Sequence, residues 1–374
     1  MSEETTPTVP TEEGRGPRSQ WDAGAPALTP EGTPRGEPAR ARRGDEIHAF
    51  PETAVGEGDV RGAAADESGE PARGTSLWRD AWRRLLKNKL AVFGMVVVCA
   101  IVVGVIIGPG IIRVTTGNTY DSIPRDSAFV RSFPPFSTPE GDFSWTHPMG
   151  TDSAGRDMLA RVLQGGRISL MVGVISTFVS LIIGITWGAT AGYLGGKVDD
   201  VMMRIVDVLY AIPYMMIVIV LLAFFGGQTP LKQIFLLFAA LGAVSWLTMA
   251  RIVRGQIISL KNQEFVLAAR ATGVSTPKII FRHLVPNALG PVIVYATLTI
   301  PSVMLQEAFL SFLGLGVQAP YASWGSLAQE GIQNIAIFPW QLIFPGVTMA
   351  LTLFSLNFLG DGLRDALDPQ MRKF

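Results

Sequence analysis

Cysteine is almost missing from this 374-residue sequence: Cys99 is the only one, so an intrachain disulfide framework and a cysteine metal cluster are both excluded. Histidine is nearly as scarce. His48, His147 and His283 are far apart, and no HExxH or GxSxG signature accompanies them, so protease and hydrolase chemistry lacks its residues. Charge is thin as well, at 17% Asp, Glu, Lys and Arg, against ~25% in ordinary soluble domains. No GxxxxGK[ST] phosphate cradle occurs. The nearest stretch, Ala191 to Val198, has alanine for the first glycine and valine for the hydroxyl residue, so ATP is not bound through a P-loop. Gly314 to Ala319 fits GxGxxA in form only, because it follows an apolar run rather than a strand.

What the sequence has in quantity is apolar residues, 48% of the total, and they come in blocks. Charge-free stretches cover about residues 90–112, 168–194, 208–227, 233–250, 287–306 and 337–359. Each is long enough to cross ~30 Å of hydrocarbon at ~1.5 Å per residue, which predicts an all-α membrane protein with six transmembrane helices. Glycines recur at four-residue spacing at Gly184, Gly188 and Gly192, and again at Gly104 and Gly108, faces that allow close helix approach. Pro213, Pro301 and Pro345 are expected to kink or end their helices.

Acids and bases balance at 31 each, but the layout is uneven. Residues 1–75 hold 15 acids, 8 bases and 9 prolines without helical or strand periodicity, which predicts a disordered tail. It is no secretory signal, since the first apolar run begins near residue 90. At 76–89, capped by Thr75 or Ser76, Trp78, Trp82, Leu85 and Leu86 oppose Arg79, Arg83 and Arg84. That pattern suits an interfacial helix meeting anionic lipid, with an ordinary surface helix as the alternative. If the first span enters from the cytoplasm, the inner segments hold 16 Lys and Arg and the outer ones 7, which puts both termini, tail included, in the cytoplasm.

The segment between the fourth and fifth spans, within a loop over 254–286, reads as helix, turn, helix. Asn262 is expected to cap the first helix with Glu264 in its first turn, Gly273 to supply the C′ position, Thr276 to cap the second, and Pro277 to occupy its first position. Phe265, Ala268, Ala269 and Thr272 then fall on one face, small enough for another protein to approach closely. A DNA-binding hairpin has similar grammar, but tethering to membrane spans argues against nucleic acid, and a plain solvated loop is the simpler alternative.

Outside the membrane, the loop over 113–167 carries His147, Asp152, Arg156 and Asp157; a helix starting at Asp152 with an Asp157–Arg161 pair is expected. His147 near Asp152 and Asp157 reads either as a metal site or as polar surface. Glu307 is the one carboxylate near an apolar outer end, so it is a candidate for meeting a solute ammonium or gating the pathway, with a structural hydrogen bond as the alternative. Asp361, Arg364, Asp365 and Asp368 are expected to pair within the last helix.

The loop sequence EFVLAARATG at 264–273, followed by Ile279, His283 and Pro286-Asn287, resembles the EAA loop of ABC importer permeases. HPMGTDSAGRD at 147–157, DVLYAIP at 207–213, EAFLSFLGLG at 307–316 and GDGLRDALDP at 360–369 are similar to the C-type permease of dipeptide and oligopeptide importers. The resemblance covers roughly residues 77–374. It implies a type I importer permease fold in a bacterial inner membrane, a heterodimer with a B-type permease, two ATPase subunits and an extracytoplasmic substrate-binding protein. It implies peptide cargo, with nickel or oligosaccharide as alternatives, and ATP and magnesium held by the ATPases, none by this chain. Residues Glu264, Phe265, Ala268, Ala269, Gly273, Pro277 and His283 would then couple to the ATPase; Asp152, Arg156 and Asp157 are candidates for contact with the binding protein, with a purely structural lid over the pore mouth as the alternative. Leu267 departs from the pattern: a glutamate is usual there. A stand-alone secondary transporter would call for an inverted repeat or intramembrane charges, neither of which is seen.

Overall fold

The structure, a computed structural model, describes residues 77–124, 131–138, 140–225 and 229–367. The 1–75 tail, the caps at Thr75 and Ser76, and Asp368 lie outside the described residues. The regular elements of the described residues are helices: α1 (Leu77–Leu85), α2 (Lys89–Thr115), α3 (Met158–Leu194), α4 (Gly196–Ala211), α5 (Tyr214–Phe225), α6 (Pro230–Leu260), α7 (Glu264–Ala271), α8 (Thr276–Lys278), α9 (Val285–Phe312), α10 (Trp324–Gln333) and α11 (Trp340–Leu367). Among the described residues, five helices are long and apolar enough to cross a membrane: α2, α3, α6, α11 and the unit formed by α8 with α9.

The third apolar stretch, 208–227, is not one rod. Pro213 cannot donate a backbone hydrogen bond, and α4 and α5 meet at Ile212-Pro213 with an 83° bend. Pro301 and Pro345 end nothing: both sit inside continuous helices, α9 and α11. Several helices also outrun their apolar blocks. α3 begins ten residues before Ile168, and α6 continues past Ala250 through Arg251 and Arg254. Polar residues extend a helix wherever they find partners: Arg254 makes a two-pronged pair with Asp199 of α4, 2.6 Å on each arm.

The glycine ladder of α3 brings it into close contact with α6. Gly184 lies against Met249 of α6, Gly188 against the Ala250 carbonyl, and Gly192 against the Arg254 carbonyl, where an added Cβ would come within 2.9 Å. Any side chain at Gly188 would drive the two backbones apart. Gly108 of α2 instead makes room for Leu163 of α3. α1 docks Ala81 and Leu85 against Ala91 of α2 and Ala366 of α11. Of the apolar face expected for α1, Leu85 turns inward, while Trp82 and Leu86 are exposed.

The segment between α9 and α11 contains a further short helix, α10. Ser323 and Ser326 form a reciprocal capping box at its start. Trp324 is fully buried; its backbone N–H donates to Ser169 Oγ and its indole N–H to the Val162 carbonyl, fixing α10 to α3.

Candidate functional site

The hairpin at the start of α9 is anchored on one side and open on the other. Val266 and Ala269 of α7 are buried in a cluster with Ile257 of α6, with Ile279, Ile280 and Leu284, and with Ala288 of α9. Arg270 adds a tie to α3, its guanidinium stacked on Tyr193 and donating to that hydroxyl at 3.2 Å. Phe265, Leu267, Ala268 and Thr272 remain exposed, as does Glu264 in the first turn. The single face expected for Phe265, Ala268, Ala269 and Thr272 therefore divides: Ala269 packs on its own bundle, and Leu267 joins the open side.

The turn is a Schellman motif. Gly273 adopts φ +76°, its N–H donates to the Arg270 carbonyl, and Val274 N–H donates to the Ala269 carbonyl. The caps shift by one residue from those expected, because Gln263 and Ser275, not Asn262 and Thr276, precede the two helices. Pro277 is then the second residue of α8. A π-helical turn over Ile279–Leu284, which includes His283, carries α8 straight into α9. The hairpin is thus joined to a helix long enough to cross a bilayer without an intervening flexible loop.

At the opposite end of α9, the loop before α3 is held by charge. Asp152 Oδ1 accepts the backbone N–H groups of Ala154 and Arg156, both at 2.9 Å, and Oδ2 accepts from Arg156 Nε at 2.6 Å and Arg161 Nη1 at 2.7 Å. Arg161 also grips both oxygens of Glu330 on α10, at 2.7 and 3.0 Å. The expected helix start at Asp152 and the Asp157–Arg161 pair are not what forms. α3 begins at Met158, capped by Asp157 through Ala160 N–H at 2.7 Å, and the second oxygen of Asp157 meets His147 Nδ1 at 2.8 Å. With both its oxygens engaged, Asp157 leaves Arg161 to Asp152 and Glu330. Asp152 and Asp157 are buried, at 3% exposure each, and point into this loop rather than outward.

Glu307 is completely buried on the core side of α9. Its Oε1 accepts from Ser311 and Ser323, both at 2.6 Å, while Oε2 meets no hydrogen-bond partner among the described residues. The other side of α9 is different. Positions 291, 294, 295, 298, 302, 305, 306 and 309 border three cavities of about 360, 310 and 490 Å³. That spacing is one helix face, and the rise of ~1.5 Å per residue from 291 to 309 makes it ~27 Å long, close to a hydrocarbon thickness. Gln306, next to Glu307 in sequence, lies on this open face. Glu307, the carboxylate singled out in the sequence, lies instead on the buried side.

A glycine-locked bundle of apolar helices with a rigidly attached hairpin defines a membrane permease component, and the chain belongs to the binding-protein-dependent transport system inner membrane component family, which matches residues 184–373. Within it, residues 76–135 match the N-terminal transmembrane domain of oligopeptide transport permease C. The oligopeptide transport system permease protein OppC of Escherichia coli K12 is 50% identical over 299 residues, 80% of this chain and 93% of that one. The OppC of Bacillus subtilis 168 is 41% identical over 310 residues, 83% and 95% of the two chains. The dipeptide transport system permease protein DppC of B. subtilis 168 is 43% identical over 299 residues, 80% and 87%. A chain of the inward-facing MetNI methionine ABC transporter aligns with TM-score 0.46 and 19% identity, covering 56% of this chain and 98% of that chain.

Proposed function

We propose that this chain is one of two permease subunits of an ATP-driven importer for dipeptides and oligopeptides, and that α7 is the element through which partner ATPases move it. The single observation that carries the reading is the two-sided α7: Val266 and Ala269 fasten it to α6 and α9, while Leu267 and Ala268 stay bare. A short helix whose inner face is fixed transmits displacement applied to its outer face, and α9 follows because the π-helical turn leaves no slack. The open face of α9 supplies half of the solute path, and a B-type permease supplies the other half. ATP and magnesium belong to the two ATPase subunits, and an extracytoplasmic binding protein delivers cargo.

In this reading α7 and both termini face the cytoplasm, which agrees with the excess of Lys and Arg on that side. The Arg161 clamp then lies on the outer side, where it shapes the surface offered to the binding protein, with Arg156 as its most accessible cation. Glu264, one turn before Ala268, is the carboxylate available to an ATPase in place of the glutamate that Leu267 replaces.

The test is Ala268→Arg in the assembled transporter. A central interface contact is worth ~2 kcal/mol or more, so peptide uptake should fall about 30-fold while ATP hydrolysis persists. Wild-type uptake by a variant that still binds its ATPases would remove the coupling role.

A further inference from the structure

Two of the cavities along α9 adjoin and share Tyr214 and Gln306 in their walls, forming a cleft between them. The cleft lies where Pro213 breaks the chain between α4 and α5, so the bend that interrupts the third apolar stretch also borders this space. Its polar lining consists of Tyr210, Tyr214, Ser245, Thr248, Ser302 and Gln306, and no ionisable acid or base borders it. Ser245 and Ser302 spend their hydroxyls on the carbonyls of Leu241 and Leu298 in their own helices. The Arg251 guanidinium, stacked on the Tyr210 ring, is already matched by Asp207 at 2.8 Å.

Gln306 and Tyr214 are the lining groups that border both cavities, and each has capacity left. Among the described residues, neither the Gln306 side-chain amide nor the Tyr214 hydroxyl has a hydrogen-bond partner. Both lie within apolar helices, where an unmet polar group is costly unless water or a solute answers it. A primary amide presents one acceptor and two donors side by side, the complement of a peptide N–H and C=O. We propose that Gln306 and Tyr214 form a subsite that hydrogen-bonds the backbone amide of a passing peptide. This rests on the peptide-importer reading and deepens it. A lining without charge neither attracts nor repels ionised side chains, so the site reads what all peptides share and leaves sequence selection elsewhere. The volumes of about 310 and 490 Å³ fall in the range of small-molecule sites.

The test compares trialanine with its depsipeptide analogue, in which an ester replaces one of the two peptide amides and removes one N–H donor. Uptake of both is measured in the complete reconstituted transporter with saturating binding protein, for wild type, Gln306→Leu and Tyr214→Phe. The binding protein's own preference is the same in every preparation, so a change in the ratio belongs to this chain. Wild type should favour trialanine about five-fold beyond the preference of the binding protein, and Gln306→Leu should bring that excess below about two-fold. An excess unchanged in Gln306→Leu overturns the subsite while leaving the importer reading intact. Failure of the wild-type complex to take up either compound overturns the importer reading itself. A second measurement covers a variant that does not assemble. With Cys99, the only cysteine, replaced by alanine, Gln306→Cys in the complete transporter should react with a hydrophilic thiol reagent and be protected by trialanine. An unreactive or unprotected thiol counts against the subsite.

Discussion

Replacing Arg161 with methionine removes the clamp between the loop before α3 and α10, and its cost follows from what each partner retains. The Arg161 side chain is 3% exposed and Asp152 is 5% exposed. Asp152 is not stranded by the change, because Arg156 Nε and two backbone N–H groups still point at it. The loss on that side is one charge-assisted hydrogen bond, ~1.5–3 kcal/mol. Glu330 is 44% exposed and turns to water, so its screened half of the pair is worth ~0.5–1 kcal/mol. The total of ~2–4 kcal/mol lies at or below the ~3–5 kcal/mol expected when a buried charge loses its only partner. Hydrogen exchange of α10 amides in the purified transporter reads this locally: protection should fall about 30- to 1,000-fold in Arg161→Met, and about five-fold or less in Glu330→Gln. Equal losses in the two variants, or unchanged α10 exchange in Arg161→Met, would refute the assignment of the main contact to Asp152.

Further outcomes follow from the same geometry. Glu307→Gln retains the oxygen that accepts from Ser311 and Ser323, so uptake should stay near wild type. Glu307→Ala leaves a cavity and two buried hydroxyls without their acceptor, costing ~2–4 kcal/mol by thermal unfolding in detergent. Loss of uptake in a fully stable Glu307→Gln would return Glu307 to the solute path. Gly188→Val pushes against the Ala250 carbonyl and should lower the yield of folded protein severely, whereas Gly255→Ala, with open space around it, should not. Comparable yields would show that α3 and α6 need no close approach.

Much of the architecture could be read from the sequence because hydrocarbon demands long apolar runs. The ladder at Gly184, Gly188 and Gly192 identified a close helix face before its partner was known. Where the reading failed, local pattern was overruled by partners distant in sequence. α10 was missed because its burial depends on Trp324 reaching Val162 and Ser169 on α3, which no window around residue 324 contains. Arg161 was assigned to Asp157 by i,i+4 spacing, but His147 and the helix cap had taken that carboxylate. In α7, composition gave a small-residue helix and Gly273 gave its end, yet the inward rotation of Ala269 follows from Val266 and the apolar residues of the next turn. The open face of α9 is the hardest case. A single helix does not reveal which of its sides the rest of the chain leaves uncovered, and Glu307 and Gln306, adjacent in sequence, fall on opposite sides.

The central claim is that force enters through the outer face of α7, and a reversible cross-link tests it most directly. In a Cys99→Ala background, Leu267→Cys places a thiol on a side chain that is 50% exposed on that face. In the complete transporter, a short reducible thiol cross-linker should join it to an ATP-hydrolysing subunit, stop peptide uptake, and release it on reduction. An adduct that leaves uptake running, or no adduct in a transporter that works, would contradict the account.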